Sequence, residues 1–354
     1  MAEAMVEART AEASTKESRG LVRAWLYVVA VMIFAMVVVG GATRLTDSGL
    51  SITEWQPIHG VVPPLSETEW QEEFAKYQQI PEYRHINKGM TLAGFKEIFW
   101  WEWAHRLIGR LIGFVVAIPL VWFWLSGRLP RGTKPHLVAL FILGGLQGAV
   151  GWWMVKSGLV DRVDVSQYRL ATHLTFASFI FAYTLWLAES IGRHVPPRQA
   201  AATARRFAWV MVAAVFIQIY LGGLVAGLDA GMAYNTWPLM DGSVVPAGLL
   251  SLEPVWRNVF ENGLTVQFQH RVFAYLVLIL ALWQGHVAFW RPFDKGPRGR
   301  ALLLLALVLV QVGLGITTLL TVVDMHTALT HQAVAIFVLA MAVIHLRRLY
   351  PARA

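Results

Sequence analysis

The chain contains no cysteine. Disulfides, thiolate-bound metals and cysteine nucleophiles are excluded together, so any redox chemistry must belong to a bound group. Charge is also sparse: 15% of the 354 residues are Asp, Glu, Lys or Arg, against 56% hydrophobic and 12% aromatic. That is more apolar surface than one soluble core of this length uses. The apolar residues fall in long uninterrupted blocks, and about 20 such residues make a helix able to cross ~30 Å of hydrocarbon.

Eight blocks are present, at roughly 21–43, 103–126, 135–156, 168–191, 207–227, 264–289, 300–323 and 325–348. The last two leave room only for a tight turn near Asp324. The expectation is an all-α integral membrane protein of eight transmembrane helices. The net charge of +8 does not point to nucleic acid. Of 30 Lys and Arg, 18 sit in the N-terminal tail and its junction with the first block, the loops 127–136, 192–206 and 291–300, and the C-terminal tail. All five segments share one side if every block spans, so both termini are expected in the cytoplasm, with membrane lipid as the surrounding partner. Glu3, Glu7, Glu12 and Glu17 argue against a cleaved leader, and a bacterial inner membrane fits.

The chain also carries an internal repeat. Setting residue 41 against residue 223 matches Gly40, Gly41, Asp47, Gly49, Trp55, Gly60, Val62 and Pro64 with Gly222, Gly223, Asp229, Gly231, Trp237, Gly242, Val244 and Pro246. Further on, His105-Arg106 matches His270-Arg271, Gln147 and Gly151 match Gln311 and Gly315, and Thr172-His173 matches Thr330-His331. The expected architecture is two tandem four-helix bundles related by a pseudo-two-fold axis along the membrane normal. Its parts are a tail (1–20), a first half (21–191) with a long loop (44–101), a linker (192–206), a second half (207–348) and a tail (349–354). Between Gly41 and His105 lie 17 more positions than between Gly223 and His270, including the polar stretch 66–79.

Eleven histidines are present. His136, His194, His286 and His345 lie near the cytoplasmic ends of blocks, His59 and His85 in loops and His326 at a helix start, and a structural role is expected for these seven. His105, His173, His270 and His331 differ, because each falls in the first two turns of an even-numbered block, at one shallow depth below the outer surface. An ionisable side chain inside a membrane normally faces a partner in the bundle interior. Imidazole ligates iron, and a bundle core can hold a flat cofactor, so two histidines per half suggest one bis-histidine heme per half. The runs Gly144-Gly145, Gly148, Gly151, Gly222-Gly223, Gly313 and Gly315 allow either close helix approach or room for a macrocycle. Arg106, Arg110 and Arg271 pair either with heme propionates or with lipid headgroups, and the sequence leaves both readings open. Glu102 lies on the face of His105, nearly one turn outward, where the second half has Gln267. A carboxylate can accept a proton or stabilise positive charge; an amide cannot do the former. The first half therefore reads as reactive and the second as a permanent cofactor site.

Gly41-Ala42-Thr43-Arg44-Leu45, Gly49-Leu50-Ser51-Ile52, Trp55, the run from Glu102 through His105-Arg106 to Arg110, and Gln269-His270-Arg271 together resemble the heme A synthase family in its alphaproteobacterial and mitochondrial form. The resemblance spans nearly the whole chain. It implies oxidation of the C8 methyl group of heme o to a formyl group, giving heme a for terminal oxidases. It further implies His270 and His331 as ligands of a resident heme b, His105 and His173 as ligands of the substrate heme, and Glu102 as the acid near the reacting methyl. Expected partners are heme o, heme O synthase, oxidase assembly factors and an electron donor or acceptor. Some bacterial members carry a loop cysteine pair that this chain lacks, so a thiol-linked step is unavailable to it. Two axial histidines leave the substrate iron no open position, so either one ligand leaves or water attacks the carbon after electron withdrawal; the sequence does not choose. A bis-heme electron carrier of cytochrome b type is the alternative function. A repeat-built transporter fits poorly, since the histidines lie too near the surface.

Overall fold

The computed structural model describes residues 2–56, 59–160, 162–192, 202–290 and 295–351, with side chains from Glu17 onward except that of His59. His194, most of the 192–206 linker and the end of the C-terminal tail fall outside the described residues. Among those described, the chain is helical with no β-strand: α1 (Ala2–Leu45), α2 (Glu67–Tyr77), α3 (Pro81–His85), α4 (Leu92–Leu125), α5 (Lys134–Val155), α6 (Gln167–Ile191), α7 (Ala202–Gly227), α8 (Asn258–Glu261), α9 (Gly263–Trp290), α10 (Lys295–Leu320) and α11 (Met325–Arg347). Eight of these, α1 from Glu17 onward, α4 to α7 and α9 to α11, are long and apolar enough to cross a membrane. The chain is a multi-pass membrane protein.

α1, α4, α5 and α6 pack as one set of neighbours and α7, α9, α10 and α11 as another, joined through α6 on α7, α1 on α11 and α6 on α11. α6 is the most enclosed helix, whereas α5 and α10 are the least. At the joint, a Cβ added to Gly223 or Gly227 would fall 2.8 Å from the Cα of Ala171 or 2.6 Å from that of Gln167, so only glycine lets α7 lie this close to α6. Leu26, Leu187, Met211, Leu339 and Leu346 are fully buried in the shared core.

The described residues of segments 46–91 and 228–262 lie on one side of the bundle, the loop face, and Arg23, Glu189 and Arg348 on the other. Near the ends, buried Glu189 accepts from Arg348 Nε at 2.7 Å, from Arg23 Nη2 at 3.4 Å and from the Tyr27 hydroxyl, tying α6 to α11 and α1. On the loop face the surplus stretch is an ordered cap. Ser66 and Glu69 close a capping box on α2, and Trp70, Phe74 and Tyr77 pack on Phe95 and Phe99 of α4. α4 therefore begins 11 residues before the hydropathy block that announced it, because Lys96 and Glu97 lower the local hydropathy without breaking the helix. The turn expected near Asp324 is present: Val322 and Val323 adopt φ of 54° and 60°, and the Asp324 carboxylate accepts the Thr327 N–H at 3.1 Å. A left-handed conformation at two β-branched residues is strained.

Candidate functional site

His105, His173, His270 and His331 stand on α4, α6, α9 and α11, and each ring rests against a glycine of the helix that precedes its own span. A Cβ at Gly40 would lie 3.0 Å from His105 Nε2, and one at Gly222 would lie 3.2 Å from His270 Cε1. At Gly151 and Gly315 it would stand 2.9 Å from Cε1 of His173 and of His331. His105 and His173 belong to the first set of helices, and His270 and His331 to the second. Among the described residues no three His, Cys, Asp or Glu converge on one point. The glycine runs divide between the two roles expected of them. Gly144, Gly145, Gly148 and Gly313 face open space, Gly223 permits helix contact, and Gly40, Gly151, Gly222 and Gly315 make room for rings.

A glutamine sits one turn before three of these glycines. Gln147 Nε2 lies 3.1 and 3.4 Å from the His173 ring nitrogens, Gln218 Nε2 lies 3.2 Å from both of His270, and Gln311 Nε2 lies 3.2 and 3.4 Å from those of His331. The amide oxygens of all three are buried without a donor. The sequence carried this pattern as Gln-x-x-x-Gly on three helices, and reading Gln147 and Gln311 only as repeat markers missed Gln218.

Glu102 is 3% exposed and accepts from four donor atoms of three residues. Arg106 approaches Oε1 with Nε at 3.0 Å and Nη2 at 2.6 Å, while Ser51 Oγ and the Ile52 N–H approach Oε2 at 2.8 and 2.7 Å. Arg106 also donates to the carbonyls of Glu54 at 2.8 Å and Ile52 at 2.6 Å. The second half repeats this fastening: Arg271 donates to Gln267 Oε1 at 2.8 Å and to the carbonyls of Thr236 at 2.8 Å and Tyr234 at 2.6 Å. Gln267 Nε2 in turn donates to the carbonyls of Ala230 and Ala233 at 2.6 and 2.7 Å. Arg110 donates to the Gln56 carbonyl at 2.9 Å. All three arginines thus hold loop backbone above the histidines, a third use beside the two left open by the sequence.

Of the remaining histidines, His136 Nδ1 pairs with the Tyr183 hydroxyl at 2.7 Å, His326 offers its carbonyl to Thr330 Oγ1 at 2.7 Å, and His345 is buried near the chain ends.

Fold and site together define a helical membrane protein with two half-buried histidines in each set of helices beneath a pinned loop face. Residues 23–343 match the family model described as cytochrome oxidase assembly protein. The chain is 61% identical to the "Heme A synthase" of Chelativorans sp. (strain BNC1), covering 94% of this chain and 92% of that one. It is 59% identical to the protein of that name from Mesorhizobium japonicum, over 93% of this chain and 91% of the relative. For the Agrobacterium fabrum protein the identity is 55%, over 94% and 91%. The chain belongs to the cytochrome oxidase assembly protein family that includes these heme A synthases.

Proposed function

We propose that this protein oxidises the C8 methyl group of heme o to a formyl group, producing heme a for terminal oxidase assembly. The division of labour follows the two halves: residues 21–191 take the substrate heme between His105 and His173, and residues 207–348 hold a resident heme b between His270 and His331. The observation that carries this reading is the fourfold setting itself, an imidazole from each even-numbered span seated against a glycine that makes room for its ring.

The residues fit such a group. Two imidazoles in each set of helices, each with glycine in place of a neighbouring side chain, are the residues that would hold the iron of a flat macrocycle. Heme b supplies one-electron transfer when bound.

The chain's own residues do the rest. Both oxygens of Glu102, close to His105 along α4, accept from donors fixed in place, and a group so preorganised costs no reorganisation when charge develops nearby. Its role is to stabilise positive charge at the substrate carbon. Gln267, neutral in the same fastening, preserves the loop and supplies no charge. That single difference favours an enzyme over a pure electron carrier. Arg106, Arg110 and Arg271 hold the loop backbone in place on this face.

The distribution of Lys and Arg supports an inner-membrane protein with both termini in the cytoplasm, which puts the loop face outside. Heme o then comes from a heme O synthase in the same bilayer, heme a passes to oxidase assembly factors, and an electron acceptor completes the cycle.

The test is a reduced-minus-oxidised spectrum of the purified protein expressed with a heme o supply, with extracted hemes identified by chromatography. Heme b together with heme o or its hydroxylated and formyl products is expected. Heme b alone, with no oxidised product, supports the electron carrier instead.

A further inference from the structure

The two loops beside the histidines are fastened along the membrane helices by a pattern repeated in both halves. Arg106 holds the carbonyls of Ile52 and Glu54, and Arg271 holds those of their repeat equivalents, Tyr234 and Thr236. A second fastening follows one helical turn further on. Arg110 of α4 donates to the Gln56 carbonyl at 2.9 Å, and at the equivalent place on α9 the Tyr275 hydroxyl accepts from Trp237 Nε1 at 3.1 Å. A Cβ at Gly60 would still lie 2.9 Å from Arg110 Nη2, and Trp55 packs on Trp152 of α5 with ring centroids 5.2 Å apart. Every one of these helix positions belongs to a membrane-spanning segment. The described residues of two straps, 52–62 and 234–245, therefore run along the helices instead of rising away from them.

What the straps lack is charge. From Trp55 to Ser66 the sequence has no Asp, Glu, Lys or Arg, and from Met232 to Leu252 it has only Asp241. Their tips are apolar and bare, with Val62 and Leu65 exposed by 61% and 79% in the first half, and Val244 and Val245 by 78% and 63% in the second. Exposed apolar residues gathered in this way mark a contact surface. The helices that the straps follow already present such residues to lipid, Phe114 and Ile118 on α4, Val272 and Ile279 on α9. Backbone that enters a bilayer must have its polar groups paired within the protein. The carbonyls of Ile52, Glu54, Gln56, Tyr234 and Thr236 all take arginine donors, and that of Leu239 takes Thr236 Oγ1 at 2.9 Å.

We propose that the two straps are re-entrant segments whose tips, Val61, Val62 and Leu65 in one half and Val244 and Val245 in the other, are seated in the bilayer on the loop-face side. The occupant of this surface is lipid, at the boundary between headgroups and acyl chains, continuous with the lipid around α4 and α9. That depth suits a segment with apolar side chains and an irregular backbone, since hydrocarbon deeper in would leave its unpaired amides without water. The first strap begins where Ser51 and Ile52 hold Glu102, so its seating in lipid steadies the loop that positions the acid. The arrangement follows from the membrane spans and their fastenings alone, whatever the histidines hold.

A chain without cysteine can be labelled at one chosen place. Val62→Cys and Val244→Cys are made in the full-length protein, with Glu72→Cys on the exposed side of α2 and Ile118→Cys on the lipid-facing side of α4 as references. All four are reconstituted in phospholipid nanodiscs and given a nitroxide, whose relaxation by oxygen, enriched in hydrocarbon, is compared with that by a water-soluble nickel chelate. The labels at positions 62 and 244 are expected between the two references, with oxygen preferred over the chelate. The same cysteines are titrated without the nitroxide, using a charged maleimide, so that no label can draw the strap into lipid. Positions 62 and 244 are expected to react about tenfold more slowly than position 72, because the reacting thiolate is disfavoured away from water. Chelate access at either position equal to that at 72 overturns the inference. Alkylation at the rate of position 72 overturns it as well, whatever the nitroxide reads, and leaves the tips as a surface for a water-soluble partner.

Discussion

Arg106 grips the carboxylate of Glu102 with two nitrogens, at 3.0 and 2.6 Å, and the same guanidinium holds the carbonyls of Ile52 and Glu54. The acid is thus part of the fastening that closes the loop over His105, and its counterpart Gln267 shows that the fastening works without a charge. The two possible duties of Glu102, holding the loop and supplying an anion, separate on substitution.

Glu102→Gln imitates the second half. It is expected to leave the protein folded and its heme b bound while lowering product formation about a hundredfold or more, the range for removing one preorganised charge or acid–base group. Glu102→Ala removes the loop anchor as well and should also expose segment 51–56 to protease. Heme chromatography after expression of each variant reads the first effect and limited proteolysis the second. Normal heme a yield in Glu102→Gln contradicts a chemical role for the carboxylate.

The glycines behind the histidines give a steric prediction. Gly315→Ala places a methyl group 2.9 Å from His331 Cε1, closer than carbon atoms pack, so the ring must swing out of line. Loss of most heme b is expected, as with His270→Ala or His331→Ala. Gly151→Ala does the same to His173 and should deplete the substrate heme while sparing heme b. Pyridine hemochrome assays with chromatography distinguish the outcomes. Equal loss of both hemes from either variant tells against one heme per half.

Arg44 at the end of α1 holds both oxygens of Asp229 at 2.7 Å, reaching from the first set of helices to the loop of the second, and binds Asp47 at 2.8 Å as well. Asp229 is 45% exposed, so solvent screens the pair and its worth is about 1 kcal/mol or less. Thermal unfolding in detergent of Arg44→Gln, Asp229→Asn and the double variant should show each single change costing roughly this much and the double change less than their sum. Strict additivity shows that the pair does not couple the halves.

The helices were legible because eight apolar blocks leave few alternatives, and the histidines because imidazole is costly in hydrocarbon. Where the sequence fell short, a residue had a use that composition does not reveal. Arg106 and Arg271 offered headgroup or propionate pairing, and both also grasp loop carbonyls 52 and 234, positions whose proximity no spacing rule reveals. The first turns of α4 escaped notice because Lys96 lowers the local hydropathy, while the helix runs on to serve as a post for α2. The glutamines escaped because a polar residue four before a glycine looks like packing until a ring is found beside it.

The loop cap has its own titration. Glu82 is 5% exposed and accepts from the Tyr77 hydroxyl and Asn87 Nδ2, both at 3.2 Å. Burial pushes its carboxyl up to about 8, against the stabilising Tyr77 bond and with Asp47, Asp164 and Glu102 adding negative charge nearby. Between the ordinary glutamate value and about pH 8 the folded cap holds a proton that the unfolded chain has released. The contribution to stability is therefore whole at low pH and is lost as pH rises toward 8. Hydrogen exchange across α2 and α3 should accelerate from pH 6 to pH 9 by more than the intrinsic base-catalysed increase, and Glu82→Gln, which keeps a neutral acceptor at this position, should remove the excess. An unchanged excess in that variant assigns the loosening to another group in the cap.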